Sequence, residues 1–113
     1  MRHDERLRHV RGRLVARGGE LNERIQRVHA DLARTREPLP RDSEDAAIAM
    51  ENDEVLRAIE ATATSEMHHI DHALERIDAG AFGICETCGK DIEAARLETV
   101  PYTTRCASCE RAR

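Results

Sequence analysis

Apolar residues in the first third of the chain recur at alternating intervals of three and four residues. This spacing is typical of a helix with one narrow apolar seam, close to a coiled-coil heptad. One slot, near Arg17, is polar. Gly18 and Gly19 cost about 1 kcal/mol each against alanine inside a helix, so we expect a continuous but weakened helix rather than a split one. The seam residues are Leu7, Val10, Leu14, Leu21, Ile25, Val28 and Leu32.

A turn separates this helix from a second one. Residues 37–41 contain two prolines one residue apart, which end a helix and force an extended turn. Asp42 or Ser43 can cap the helix that follows, because their side-chain oxygens accept hydrogen bonds from first-turn amides. Glu44 and Asp45 then lie where acidic groups favour the helix dipole.

The second helix is expected from about residue 43 to residue 79, with Gly80 as its C-terminal stop. Its apolar positions again suit one seam facing a partner helix. Ala63 fills one gap in that series. The predicted seam is Ile48, Val55, Ile59, Met67, Ile70, Leu74 and Ile77.

Two long helices joined by a short proline-rich loop are expected to pack as an antiparallel hairpin. Charge supports the pairing, since residues 2–36 hold ten arginines against five acids and residues 42–79 hold eleven acids against two arginines. The sequence therefore predicts a mainly α fold. We expect a helical hairpin over 1–79 with its tip near 37–47, then a zinc-finger module over 80–113.

Composition limits both the core and the function. Phe82 and Tyr102 are the only aromatic residues and 35% of the chain is charged, so a large globular core is excluded. The net charge of −4 argues against sequence-specific DNA binding driven by electrostatics. No apolar run suits a signal peptide or a membrane span, so a cytoplasmic protein is expected. No nucleophile–base pair, phosphate loop or catalytic carboxylate set is recognisable, so we expect no enzyme activity.

Four cysteines near the end of the chain form the strongest chemical signal. Cys85 and Cys88 make one C-x2-C pair, and Cys106 and Cys109 make another after seventeen intervening residues. Two such pairs supply four thiolates, the closed tetrahedral ligand set of one structural Zn²⁺. Disulfides or a redox C-x-x-C are the alternatives. The intervening segment is expected to form a short helix over residues 91–97.

The wider pattern around these cysteines resembles the DksA/TraR zinc-finger family. The resemblance rests on Phe82-Gly83-x-Cys85-x-x-Cys88-Gly89-x-x-Ile92, followed by Arg96-Leu97, Pro101 and the second cysteine pair. It extends upstream to an Asp-x-x-Asp-x-Ala motif that family members carry at a hairpin tip, which Asp42, Asp45 and Ala47 match. It covers about 70 residues, from the tip to the last cysteine, whereas the first helix is similar in character only.

The resemblance implies a transcription regulator that binds RNA polymerase. In the family the hairpin enters the polymerase secondary channel, the acidic tip acts near the active site, and the zinc end docks on the rim. Members that respond to ppGpp carry basic residues at the places held here by His69, Val100 and Glu110. With at most one cation there, the comparison predicts a weak or absent response to ppGpp.

Two other functions stay open from the sequence. One is a zinc-ribbon adaptor that binds another protein or a nucleic acid through its basic first helix. The other is a redox or metal sensor that uses the cysteines as a switch. His68 and His72 are spaced to clamp a metal on one helix face, with His9 roughly opposite, but a solvated polar face is the favoured interpretation because no complete metal motif accompanies them.

Overall fold

A computed structural model describes residues 3–34 and 41–112, with side chains for 5–33 and 41–112. The described residues are mainly helical and contain no strand, only an isolated antiparallel bridge between Ile84 and Asp91. The predicted proline turn falls almost wholly outside these residues. The helices are α1 (His3–Arg34), α2 (Ser43–Asp78), α3 (Ala94–Thr99) and α4 (Ala107–Arg111).

Helix α1 is continuous through Gly18 and Gly19, as the sequence predicts. No atom outside the helix's own turns comes within 4 Å of where a side chain would begin at Gly19, so close packing does not require a glycine there. The seam predicted for α1 is confirmed. Its side chains are buried at Val10, Leu14, Leu21 and Val28 and half-buried at Leu7, Ile25 and Leu32.

The chain divides into two compact units. The cysteine unit comprises Met1–Gly18 with His68–Arg113, and the helix unit comprises Gly19–Met67. The sequence predicts a domain boundary at residue 80, which does not coincide with the division into these two units. That boundary stays a prediction.

Within each unit the α1 and α2 segments pack antiparallel. In the cysteine unit Arg11 pairs with Asp78 at 2.9 Å. In the helix unit His29 pairs with Glu60. The fully buried aliphatic side chains are Leu14 and Ile70 in the cysteine unit and Leu21 in the helix unit.

The seam predicted for α2 is right in its second half and wrong in its first. Ile70 is buried, but Ile48, Val55 and Ile59 are exposed by 52%, 58% and 39%. The less exposed side chains in that stretch are instead Ala46, Ala49, Asp53, Leu56, Glu60 and Ala63. Both series have helical spacing, but only the second alternates intervals of three and four without a break, which keeps one face inward along a coiled coil.

Both ends of α2 are closed by local hydrogen bonds. Asp42 caps the start, accepting a 2.8 Å bond from the Glu44 amide at its carboxylate. At the other end Gly80 has φ +73°, and the amides of Gly80 and Ala81 bond to the carbonyls of Ile77 and Arg76. These two bonds form a Schellman motif, which needs the left-handed conformation that glycine adopts without strain. Among the described helices, none combines the length and the hydrophobicity that crossing a membrane requires.

Candidate functional site

The first cysteine pair lies in a tight loop between two left-handed glycines. Gly83 and Gly89 have φ +84° and +75°, which residues with side chains rarely adopt. The Cys85 amide donates to the Lys90 carbonyl at 2.8 Å, and the Gly89 amide donates to the Cys85 carbonyl at 3.0 Å. These bonds turn the backbone around Cys85 and Cys88. Both thiols therefore face the same point.

The second pair begins helix α4. Cys106 precedes the helix, and its carbonyl accepts a 3.0 Å bond from the Glu110 amide. The Glu93 carboxylate accepts from the Ala107 amide at 3.3 Å, so an acid from the preceding segment binds the free amide at this helix start. Helix α3 begins at Ala94, three residues later than predicted, and ends before Pro101. Cys85, Ile92 and Cys106 form a small buried core, against which Leu97 packs.

The structure brings the four predicted cysteines together. Their Sγ atoms all lie within 4.8 Å of one another, and Cys88 Sγ is 3.8 Å from Cys106 Sγ. Four sulfurs at Zn–S bonds of about 2.3 Å form a tetrahedron with edges of about 3.8 Å. The sulfur cluster therefore fits one Zn²⁺ with no position left for water. Among the described residues, no second group of three or more histidine, cysteine or acidic side chains is arranged to hold a metal.

The sulfurs affect one another's protonation. Backbone amides of Cys106 and Cys88 hydrogen-bond the Cys85 sulfur and lower the pKa of this thiol to about 6. The neighbouring sulfurs of Cys106 and Cys85 raise the pKa of Cys109 to about 12, because they stabilise its protonated form. A divalent cation favours all four thiolates, so metal binding and thiol deprotonation are coupled here.

A polar network that the sequence did not predict joins α2 to the first cysteine loop. Glu86 Oε1 lies 2.6 Å from His72 Nε2 and 3.1 Å from Arg76 Nη1. Hydrogen bonding from His72 is the main cause that lowers the pKa of the Glu86 carboxyl. Arg76 also donates to the carbonyls of Ala81, at 2.9 Å, and Ile84. Its side chain is only 15% exposed, so its guanidinium fixes the backbone on both sides of the turn leading to Cys85.

The residues of the predicted tip lie at the start of α2. Asp42 is the helix cap described above, which gives it a structural role whatever else it does. Asp45 is exposed in the first turn, and Ala47 is exposed on the next. Residues 37–40, the remainder of the predicted tip, lie outside the described part of the chain.

The histidines of α2 have separate surroundings. His69 stacks on Tyr102, with ring centroids 5.4 Å apart and an angle of 14° between the planes. His72 belongs to the Glu86 network, and His68 is exposed. Val100 is half-buried and Glu110 is exposed, and neither side chain carries a positive charge.

Comparison with known proteins assigns almost the whole chain. Residues 11–77 match the N-terminal domain of DnaK suppressor protein-like proteins. Residues 80–113 match the prokaryotic DksA/TraR C4-type zinc finger. The match includes most of α1, which the sequence motifs alone did not assign.

Solved structures similar to this one include the following three. Transcription factor DksA2 from Pseudomonas aeruginosa has a TM-score of 0.86 at 24% identity, covering 97% of this chain and 84% of its own. DnaK suppressor protein from Agrobacterium tumefaciens C58 has a TM-score of 0.63 at 40% identity, covering 94% and 92%. An RNA polymerase binding protein and transcriptional regulator from Chlamydia trachomatis L2 has a TM-score of 0.59 at 21% identity, covering 99% and 91%.

An uncharacterised protein of Aquifex aeolicus is 40% identical over 70 residues. The match spans 62% of this chain and 48% of that protein, so the chain corresponds to about half the length of this relative. The two family matches, the clustered thiols and the fold agree. The chain belongs to the DnaK suppressor protein (DksA)-like family, and its four cysteines are positioned as the C4-type finger for one structural zinc ion.

Proposed function

We propose that this protein regulates transcription by binding RNA polymerase, with its helical hairpin in the secondary channel and its zinc end on the outer rim. Family membership carries the proposal, since the chain matches both parts of DksA-like proteins. One structurally similar protein is named as an RNA polymerase binding protein and another as a transcription factor. Catalysis has no part in this proposal.

In this mechanism the start of α2 is the part that acts on the polymerase. Asp42 fixes the first turn by capping it, and that turn presents the Asp45 carboxylate to solvent. An exposed carboxylate on a slender helical support can approach cationic groups or a metal ion in a narrow channel. Ala47, two residues after Asp45, keeps the helix surface there small.

The metal has a structural part in this mechanism. Zinc held by Cys85, Cys88, Cys106 and Cys109 supplies folding free energy to a module with a very small apolar core. The module then gives the protein a rigid surface for docking on the polymerase rim. We further propose a weak or absent response to ppGpp, because Val100 and Glu110 offer it no positive charge.

The test separates binding from regulation. Asp45→Asn removes one exposed charge while keeping the shape of the side chain, and Glu44→Gln is the matched control in the same helical turn. First-turn acids contribute about 0.3–1 kcal/mol, so both variants are expected to fold. Both should bind purified RNA polymerase with affinities near that of the wild type. Only Asp45→Asn should lose its effect in a transcription assay, run with and without ppGpp.

Failure of the wild type to bind RNA polymerase would refute the proposal. If the wild type binds and Asp45→Asn still regulates as well as Glu44→Gln, Asp45 serves only the helix dipole. The channel mechanism would then not apply to this chain.

A further inference from the structure

The first half of α2 leaves three branched aliphatic side chains exposed. Ile48, Val55 and Ile59 leave 39–58% of their surface exposed. The less exposed positions of the same stretch include Asp53 and Glu60. These three branched aliphatic side chains leave much of their surface unpacked, so this surface, called here the apolar stripe, is available to a partner.

A groove in the helix unit adjoins the apolar stripe. Its walls include Leu21 and Arg24 from α1 and Val55, Ile59, Thr62 and Glu66 from α2. Leu21 is 1% exposed and provides an apolar floor, whereas Arg24 and Glu66 supply polar groups at the edges. A groove of this composition suits one apolar side chain with polar neighbours.

The size of the stripe argues against a second copy of the chain as its occupant. Ile48 and Ile59 are eleven residues apart, or about 16 Å along a helix. With a helix about 10 Å wide, the stripe offers on the order of 200 Å². A stable interface buries about 800 Å² on each partner. The stripe therefore suits one element within a larger contact.

Charge indicates the chemistry of the partner. Residues 19–67, the helix unit, contain twelve acidic residues and six arginines. Beside the stripe, Glu51 lies on the same side of α2 as Val55, since four residues, about one turn, separate them. A partner that approaches here is favoured if it carries lysine or arginine around an apolar side chain.

The stripe also begins next to the proposed tip. Ile48 follows Asp45 by three residues, about 4.5 Å along the helix axis. Any protein that receives Asp45 in a narrow channel therefore surrounds Ile48 and meets Val55 and Ile59 within two or three further turns. We propose that RNA polymerase inserts an apolar side chain, flanked by cationic residues, into the groove beside this stripe; this rests on the function proposed above.

The experiment removes the apolar groups without changing charge. The double variant Val55→Ser/Ile59→Ser is compared with Met50→Ser, whose parent side chain is 55% exposed on another side of α2. All three replaced side chains are exposed, so both variants should fold, which far-ultraviolet circular dichroism checks. The dissociation constant for purified RNA polymerase should rise about tenfold in the double variant and less than twofold in Met50→Ser. Glu51→Gln should weaken binding and reduce its dependence on salt.

Equal affinities of the double variant and Met50→Ser would overturn this inference while leaving the proposed function standing. Failure of the wild type to bind polymerase would overturn both. Sedimentation showing a dimer that the double variant abolishes would assign the stripe to self-association and overturn the inference as well.

Discussion

Replacing Arg76 by methionine tests whether α2 holds the first cysteine loop in place. Methionine keeps most of the aliphatic stem and removes the guanidinium. Three hydrogen bonds are then lost, to the carbonyls of Ala81 and Ile84 and to the Glu86 carboxylate. Among the described residues of the cysteine unit, no other single side chain makes more of these hydrogen bonds than Arg76 does.

The expected loss follows from burial. A hydrogen bond to a charged group contributes about 1.5–3 kcal/mol when shielded from water. The Glu86 side chain is 38% exposed, so its ion pair with Arg76 is discounted for solvent screening. Water can also reach the Ile84 carbonyl once the guanidinium is gone. We therefore expect the free energy of unfolding of the zinc-loaded protein to fall by about 2–3 kcal/mol.

Arg11→Met is the matched control. Arg11 pairs with Asp78 at 2.9 Å, close to the 3.1 Å between Arg76 and Glu86, but its side chain is 44% exposed and that of Asp78 is 65% exposed. Exposed pairs contribute about 0–1 kcal/mol. The two variants thus remove the same chemical group from a shielded and from an exposed position.

The rate of zinc release measures how firmly the first cysteine loop is held. A coloured chelator in excess captures zinc as the cysteine loop opens, and the release rate follows the population of the open state. A loss of about 2–3 kcal/mol corresponds to release that is about 30 to 140 times faster, at tenfold per 1.4 kcal/mol. Arg11→Met should release zinc within about twofold of the wild-type rate. If Arg76→Met also matches the wild type, the network is not part of what retains the metal.

Two further outcomes are expected. Cys106→Ser should purify without stoichiometric zinc, and its cysteine loops should lose their fold. It should keep most of its helical circular dichroism, because α1 and α2 have their own seam. Full zinc content by metal analysis would contradict the assignment of Cys106 as a zinc ligand. Asp53→Leu should raise the thermal midpoint and increase the free energy of unfolding by about 1 kcal/mol, because Asp53 Oδ1 is buried without a hydrogen-bond partner among the described residues. An unchanged or lower midpoint would show that this carboxylate is hydrogen-bonded in solution.

Local rules account for the parts of the fold that the sequence predicted. The Asp42 cap and the Gly80 stop each depend on a few neighbouring residues. The zinc ligands were predictable for the same reason, since the spacing within each pair determines which thiols can meet. The α1 seam was clear because its heptad has a single polar interruption.

The inward face of α2 was mispredicted because hydrophobicity alone does not determine which side packs. Ile59, Ala63 and Met67 follow one another at intervals of four, and extending that series upstream selects the exposed Val55 and Ile48. A supercoiled pair instead keeps alternating intervals of three and four. Counting back strictly in that manner from Ile70 would have identified Asp53 and Glu60 as inward positions.

The Arg76 network could not have been predicted in the same way. It joins α2 to a loop eight to ten residues later and depends on the angle at which the chain leaves the Schellman turn. The sequence offered only a weak signal, an arginine in the last turn of α2 with a glutamate beside Cys85. The stacking of His69 on Tyr102 is a longer-range contact of the same kind.

That stacked pair gives the protein a built-in optical probe. With one tyrosine and no tryptophan in the sequence, the intrinsic fluorescence above the phenylalanine band comes from Tyr102 alone. An imidazole ring stacked 5.4 Å away is part of the phenol's surroundings, so the emission changes when the two rings separate. Circular dichroism follows α1 and α2, which hold most of the helical residues. A single unlabelled sample therefore yields separate unfolding curves for the surroundings of Tyr102 and for the long helices.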